Sequence, residues 1–243
     1  MTREVIVAIH QPNYLPWLGF FDKACKADVL ILLDNVQYPK RSWSNRVRIK
    51  SPEGAAWLTV PVTAKGRYHQ LIAETEIDYQ ENWIKRHLGT LERNYRPLPF
   101  YDEISPTIKH LLSQKPSLLN TLNGAIIKAL CELLEIEVKL TSATTLGGSG
   151  AATHLLIDLT KAVGGTMYLS GEGGRLYQEE SLYGNAGIGL RFQQFEHPIY
   201  EQRYADFVPG LSTFDILCCS GLEWTRQFLR KSRERFVQTG SFA

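Results

Sequence analysis

The chain lacks most of what would mark a membrane, fibrous or disulfide-stapled protein. Its apolar runs are brief, Val29 to Leu33 being among the longest, against the roughly 20 residues a spanning helix needs. Met1-Thr2-Arg3-Glu4 leads into five apolar residues and then His10, which reads as a first β-strand and not as a signal peptide. Cysteine is scarce and badly spaced for chemistry. Cys25, Cys131, Cys218 and Cys219 contain no C-x-x-C, and the adjacent pair suits neither a disulfide framework nor a zinc site. A reduced, cytoplasmic protein with no metal is expected. Charge of one sign is missing too: 27 basic against 25 acidic residues leave +2, too little to attract generic nucleic acid. Proline (11) and glycine (19) are too few for a low-complexity or disordered chain.

What is present reads as one α/β domain over residues 1–243. Val5 to Ile9 and Val29 to Leu33 are short and uniformly apolar, as strands buried on both faces are. Between them Trp17, Phe20, Phe21, Ala24 and Cys25 recur at helical spacing, so the unit is βαβ and the strands are parallel. Ile84, Leu88, Leu91 and Tyr95, then Ile104, Ile108, Leu111 and Leu112, then the dense run from Leu118 to Leu134 predict a helical insertion at about 80–135. Strands at Val138–Leu140, Thr166–Leu169 and Leu190–Phe195 resume the rhythm, and a closing helix is expected from about Leu222 to Arg230. Asn45 to Ile77, rich in Val, Trp and Thr, predicts antiparallel strands at the edge. The predicted class is a mostly parallel sheet flanked by helices, Rossmann-like or nucleotidylyltransferase-like.

Ligands of such sheets bind beyond the carboxyl ends of the strands, which singles out four loops. In His10-Gln11-Pro12-Asn13-Tyr14-Leu15-Pro16-Trp17 the prolines stiffen the turn, leaving Gln11, Asn13 and Tyr14 as ligand contacts and His10 as a proton carrier. Asp34 is a further ligand contact; it lies where dinucleotide-binding folds hold a ribose, but the first loop has no G-x-G-x-x-G, so a classical NAD site is not expected. Beyond it Gln37, Lys40, Arg41, Trp43, Asn45 and Arg46 combine charge with an aromatic ring, suited to a phosphate and a stacked base or, alternatively, to a solvated strand face. Ser170-Gly171-Glu172-Gly173-Gly174 can bring amides close to an anion, although it is no Walker A sequence, and Glu172 is its acid. Ser212 and Asp215 read as a helix cap, and His197 is a further base.

Two other patterns carry less. Gly147-Gly148-Ser149-Gly150-Ala151 ends in alanine where a nucleophile elbow needs glycine and is assigned to a loop and helix cap. His87, four residues after Trp83 on a helix with no histidine partner at metal spacing, reads as a packing residue.

Gln11-Pro12-Asn13-Tyr14-Leu15-Pro16-Trp17-Leu18-Gly19-Phe20-Phe21, Asp34-Asn35-Val36-Gln37-Tyr38 with Lys40-Arg41-Ser42-Trp43 and Asn45-Arg46, Tyr168 through Gly173-Gly174 to Tyr177, and Phe207-Val208-Pro209 with Leu211-Ser212 and Asp215 together resemble the WbqC-like protein family. The resemblance implies a role in polysaccharide or related biosynthesis. A more distant likeness to nucleotidylyltransferases lacks their paired histidines. The expected function is a transferase that binds a phosphorylated, nucleotide-like molecule and moves an acyl or aminoacyl group onto an amine of a sugar or similar intermediate. A nucleotide or a coenzyme A-type donor is the expected cofactor, and a carrier protein or a second copy a further partner. Two alternatives stand beside it: a non-catalytic assembly protein of a biosynthetic cluster, and a nucleotidylyltransferase with a non-standard site.

Overall fold

The computed structural model describes residues 4–148, 150–204 and 206–240. Five parallel strands form the main sheet: β1 (Ile6–His10), β2 (Val29–Leu32), β5 (Lys139–Ser142), β6 (Met167–Ser170) and β7 (Gly189–Phe192), in the spatial order β5-β2-β1-β6-β7. The chain therefore steps outward from β1 through β2 to β5, then returns to the other side of β1 for β6 and β7. The order reverses between β1 and β6. Crossovers on the two sides of such a point leave the sheet on opposite faces, opening a crevice at the strand ends.

The apolar runs are continuous because both faces are covered. Val7 and Ile9 of β1, with Val29 and Ile31 of β2, pack under α6 (Ala152–Ala162) and α7 (Glu180–Asn185). Ala8, Leu30 and Leu32 point the other way, into a larger core shared with α1 (Leu18–Cys25), α4 (Leu119–Leu133) and α8 (Thr213–Gly240). Period-two alternation thus splits one strand between two cores, each fully buried aliphatic side chain contributing about 1.5–3 kcal/mol.

The predicted antiparallel strands form a sheet of their own. β3 (Arg46–Ser51) pairs with β4 (Gly54–Thr59) and with no strand of the main sheet. The helical insertion follows as α2 (Trp83–Tyr95), α3 (Tyr101–Ser113) and α4, and the short α5 (Ala143–Leu146) ends at Gly147 in a left-handed conformation, φ 70°. Ser149 lies outside the described residues.

Two boundaries differ from expectation. The closing helix expected from Leu222 is the second part of α8, whose first part begins at Thr213 directly after the expected Ser212 cap: the Ser212 hydroxyl accepts from the Phe214 amide (3.2 Å), and Phe214, Leu217 and Cys218 are buried. The helix kinks at Gly221, φ 82°, a value that L-residues rarely adopt. β7 stops at Phe192 because the Gln193 side chain turns inward, donating to the Gly19 carbonyl (2.8 Å) and to Asp22 (2.6 Å).

Candidate functional site at the switch point

The loops after β1, β2, β6 and β7 surround a cavity of about 1110 Å³ at the reversal of strand order. Its walls include His10, Gln11, Asn13 and Trp17 from the first loop, Ser42 and Trp43 from the second, and Ser170 to Arg175 from the glycine loop. Segments about 130 residues apart in sequence thus share one rim.

A buried amide holds the first two loops together. Asn123 of α4 is fully buried, and its Nδ2 donates to the Pro12 carbonyl (2.9 Å) and the Ser44 carbonyl (2.7 Å). The Tyr14 amide donates to the Trp43 carbonyl (2.9 Å). These three bonds bring Trp43 to the cavity wall. Its indole packs against Trp57 (centroids 5.3 Å apart), Arg46 lies over Trp57 (4.2 Å) and Arg48 over Trp43 (5.8 Å). The result is a cationic, aromatic ladder leading outward from the rim.

The glycine loop is tight for a steric reason. A Cβ on Gly174 would lie 2.2 Å from the Ser170 hydroxyl oxygen, which accepts from Gln178 Nε2 (2.8 Å), whose Oε1 accepts from the Tyr183 hydroxyl (2.6 Å). On the solvent side Glu172 pairs with Arg175 at 2.7 Å. Gly19 has a similar role in α1: a Cβ there would meet the Trp17 ring at 2.3 Å, and that ring packs edge-on to Phe195 as part of the wall.

The most unusual group in the cavity is Lys23. Every residue of α1 is buried, Lys23 to 3% exposure, and its Nζ donates to the Ile9 carbonyl at 2.8 Å, at the end of β1. Burial lowers its pKa from 10.5 to about 7, because desolvation penalises the ammonium. His10 stands nearby with its pKa lowered to about 3, by burial and then by the Lys23 charge. Nδ1 of His10 donates to the Gln11 carbonyl (2.9 Å), so Nε2 carries the lone pair. A histidine this reluctant to protonate serves near neutral pH as a hydrogen-bond acceptor, whereas a lysine near 7 can take or give a proton. Nothing local in the sequence marks Lys23; its burial comes from packing.

Other expected residues lie elsewhere. The Asp34 carboxylate is buried and accepts from the Thr144 amide (2.8 Å), the Thr144 hydroxyl (2.9 Å) and Asn120 Nδ2 (2.8 Å), which fastens β2's loop to α5 and α4. Tyr14 is buried, its hydroxyl 3.0 Å from Nδ1 of His87, a residue held neutral by burial with its pKa lowered to about 4. Asn45 donates to the Val60 carbonyl (3.0 Å). Gln37 donates to the Tyr68 carbonyl (2.7 Å), and Lys40 sits over the Tyr68 ring (4.7 Å) in a separate hollow of about 400 Å³. Arg41 is exposed in the turn that follows Lys40, with φ 56°. His197 stacks on Tyr200 (6.2 Å) in an aromatic cluster with Phe195 and Phe207, outside the cavity wall. Asp215 is buried, accepting from the Tyr95 (2.8 Å) and Tyr200 (2.6 Å) hydroxyls, and is structural.

The profile of the WbqC-like protein family matches residues 11–227, a span that begins with the first cavity loop and includes the others. The chain belongs to the WbqC-like protein family. This WbqC-like chain is also similar to the uncharacterized protein Rv1507c of Mycobacterium tuberculosis (strain ATCC 25618 / H37Rv), with 35% identity over 230 residues that cover 94% of this chain and 99% of that protein. No solved structure matches it at a significant level. Among the described residues no helix is long and apolar enough to cross a membrane, and no group of three or more His, Cys, Asp and Glu side chains is placed to hold a metal ion.

Proposed function

We propose that this WbqC-like protein binds a phosphorylated, nucleotide-like molecule at the switch point and transfers an acyl or aminoacyl group to an amine of a sugar or similar biosynthetic intermediate. The observation that carries this reading is Lys23, a desolvated amine held on the Ile9 carbonyl inside a cavity rimmed by aromatic rings and carboxamides. Trp43 offers a face to a base or sugar ring, and the neighbouring arginines attract its phosphates. Gln11, Asn13 and the loop from Ser170 to Gly174 orient the reacting ends.

In the transfer step the acceptor nitrogen attacks the acyl carbonyl carbon and a C–N bond forms. Neutral Lys23 Nζ takes the proton that nitrogen sheds. The bond from the acyl carbon to the donor's sulfur or phosphate oxygen breaks, and its electron pair leaves with the donor. His10 accepts a hydrogen bond without holding the proton itself, and Glu172, paired with Arg175 at the mouth, orients an incoming amine. General-base removal of this kind is worth about 10²–10⁴ in rate.

Thermal shift with UDP-N-acetylglucosamine, ATP and acetyl-coenzyme A as probes tests binding, since a ligand at a hundredfold excess over its Kd adds about 2.7 kcal/mol of stability. Trp43→Ala is expected to weaken the bound probe about tenfold, a loss of roughly 1.4 kcal/mol. Lys23→Met is expected to leave binding largely intact and lower turnover of an amino-sugar acceptor by about a hundredfold or more. If none of the probes raises the melting temperature and a protein partner co-purifies, the chain is an assembly protein and the transferase reading fails.

A further inference from the structure

The switch-point cavity shares one wall with a neighbouring hollow. Arg175, Gln194, Phe195 and Glu196 line both the cavity and this second groove of about 490 Å³, which runs between β7 and the C-terminal half of α8. The floor of this groove is apolar, built from Leu190, Phe192, Phe228 and Phe236. Its rim is cationic. Arg175 lies over the Phe192 ring (4.1 Å) and Arg191 over Phe236 (3.9 Å), while Arg235 is exposed beside them. Glu196 is the one acidic residue lining the groove among the described residues, against four basic ones, of which Lys26 is buried on Asp22 and Arg175 pairs with Glu172, leaving Arg191 and Arg235.

A trough floored by phenylalanine rings with a guanidinium rim, adjoining the Lys23 cavity at the shared residues, fits a long molecule with a charged terminus and an aliphatic, amide-bearing shaft. We infer that this groove binds the phosphorylated arm of a phosphopantetheine thioester, which threads its acyl end past Phe195 toward Lys23. The inference rests on the transferase reading and names its donor class. The shaft lies on the phenylalanine floor, and Arg175, Arg191 and Arg235 face the phosphates. Trp43 and the basic ladder are then left to the acceptor at the opposite rim. The same chemistry is carried by free coenzyme A and by a carrier protein's prosthetic arm.

Calorimetric titration of the whole chain with coenzyme A, 4′-phosphopantetheine, pantetheine and UDP-N-acetylglucosamine tests the assignment. Arg235→Glu, which reverses a charge on an exposed helix face, is expected to weaken coenzyme A about tenfold or more. Pantetheine, which carries no phosphate, and the sugar nucleotide should be unaffected. Arg175→Glu should act in the same direction. Coenzyme A bound at least tenfold more tightly than 4′-phosphopantetheine supports the assignment with the free cofactor as source; equal affinities support it with a carrier-borne arm. Unchanged coenzyme A affinity in both variants, each melting as the wild type does, overturns the assignment. So does binding of the sugar nucleotide with none of the three pantetheine compounds, an outcome that leaves the cavity reading standing. If neither class binds, the cavity reading falls and takes the groove with it.

Discussion

Replacing Lys23 by methionine keeps the length of the side chain and removes the ammonium, so the variant isolates what burying that charge costs. The folded-state pKa is lowered from 10.5 to about 7, so between these values the unfolded chain binds more protons than the native state. Native stability must then rise with pH across the window from about 7 to 10.5. The whole shift corresponds to about 5 kcal/mol, of which about 3 kcal/mol is recovered between pH 7 and pH 9.5. Against this, Lys23→Met leaves the Ile9 carbonyl without its partner, a pH-independent loss of about 1–3 kcal/mol. The variant should therefore be more stable than the wild type by about 2–4 kcal/mol at pH 6, and the advantage should vanish or reverse by pH 9.5. Urea denaturation of both proteins at pH 6, 7.5 and 9.5 measures the difference, and titrations common to the two cancel. A stability difference that does not change with pH would show that Lys23 titrates as an exposed lysine does, and the proposed proton transfer would lose its base.

Two further perturbations address the cavity walls. Asn123→Leu removes the amide that donates to the Pro12 and Ser44 carbonyls, and urea melts should register a loss of about 2–4 kcal/mol, together with altered fluorescence from Trp43; an unchanged midpoint would mean that the loops are held by other contacts. His10, with its pKa lowered from 6.5 to about 3, is protonated first in the unfolded chain, so it withdraws stability as pH falls from about 6.5 toward 3. His10→Gln should flatten that acid limb, and parallel wild-type and variant curves between pH 6.5 and 4 would contradict the assigned shift.

How much of this was legible beforehand depends on the range of the interaction concerned. Strands β1 and β2 are written in their own residues, since an apolar run too short for a helix is buried on both faces wherever it lies, and the loops that line the cavity follow from the carboxyl-end rule once the sheet is parallel. Helix α8 was legible in its two ends, the cap at Ser212 and Asp215 and the periodicity after Leu222, but not as one element: the turns between them are held where Phe214 packs on Tyr95 and Tyr101. The proton chemistry was not legible at all. Nothing in the sequence singles out Lys23, Asp34 reads as a ligand contact and His197 as a base; Lys23 is desolvated by β1 and the surrounding loops, Asp34 is consumed by Thr144 and Asn120, and His197 is drawn into an aromatic cluster. Secondary structure depends on neighbours three or four residues away, which a sequence displays directly. The charge state of a side chain depends on whatever covers it, and for Asp34 the covering groups stand 86 and 110 residues away in the chain.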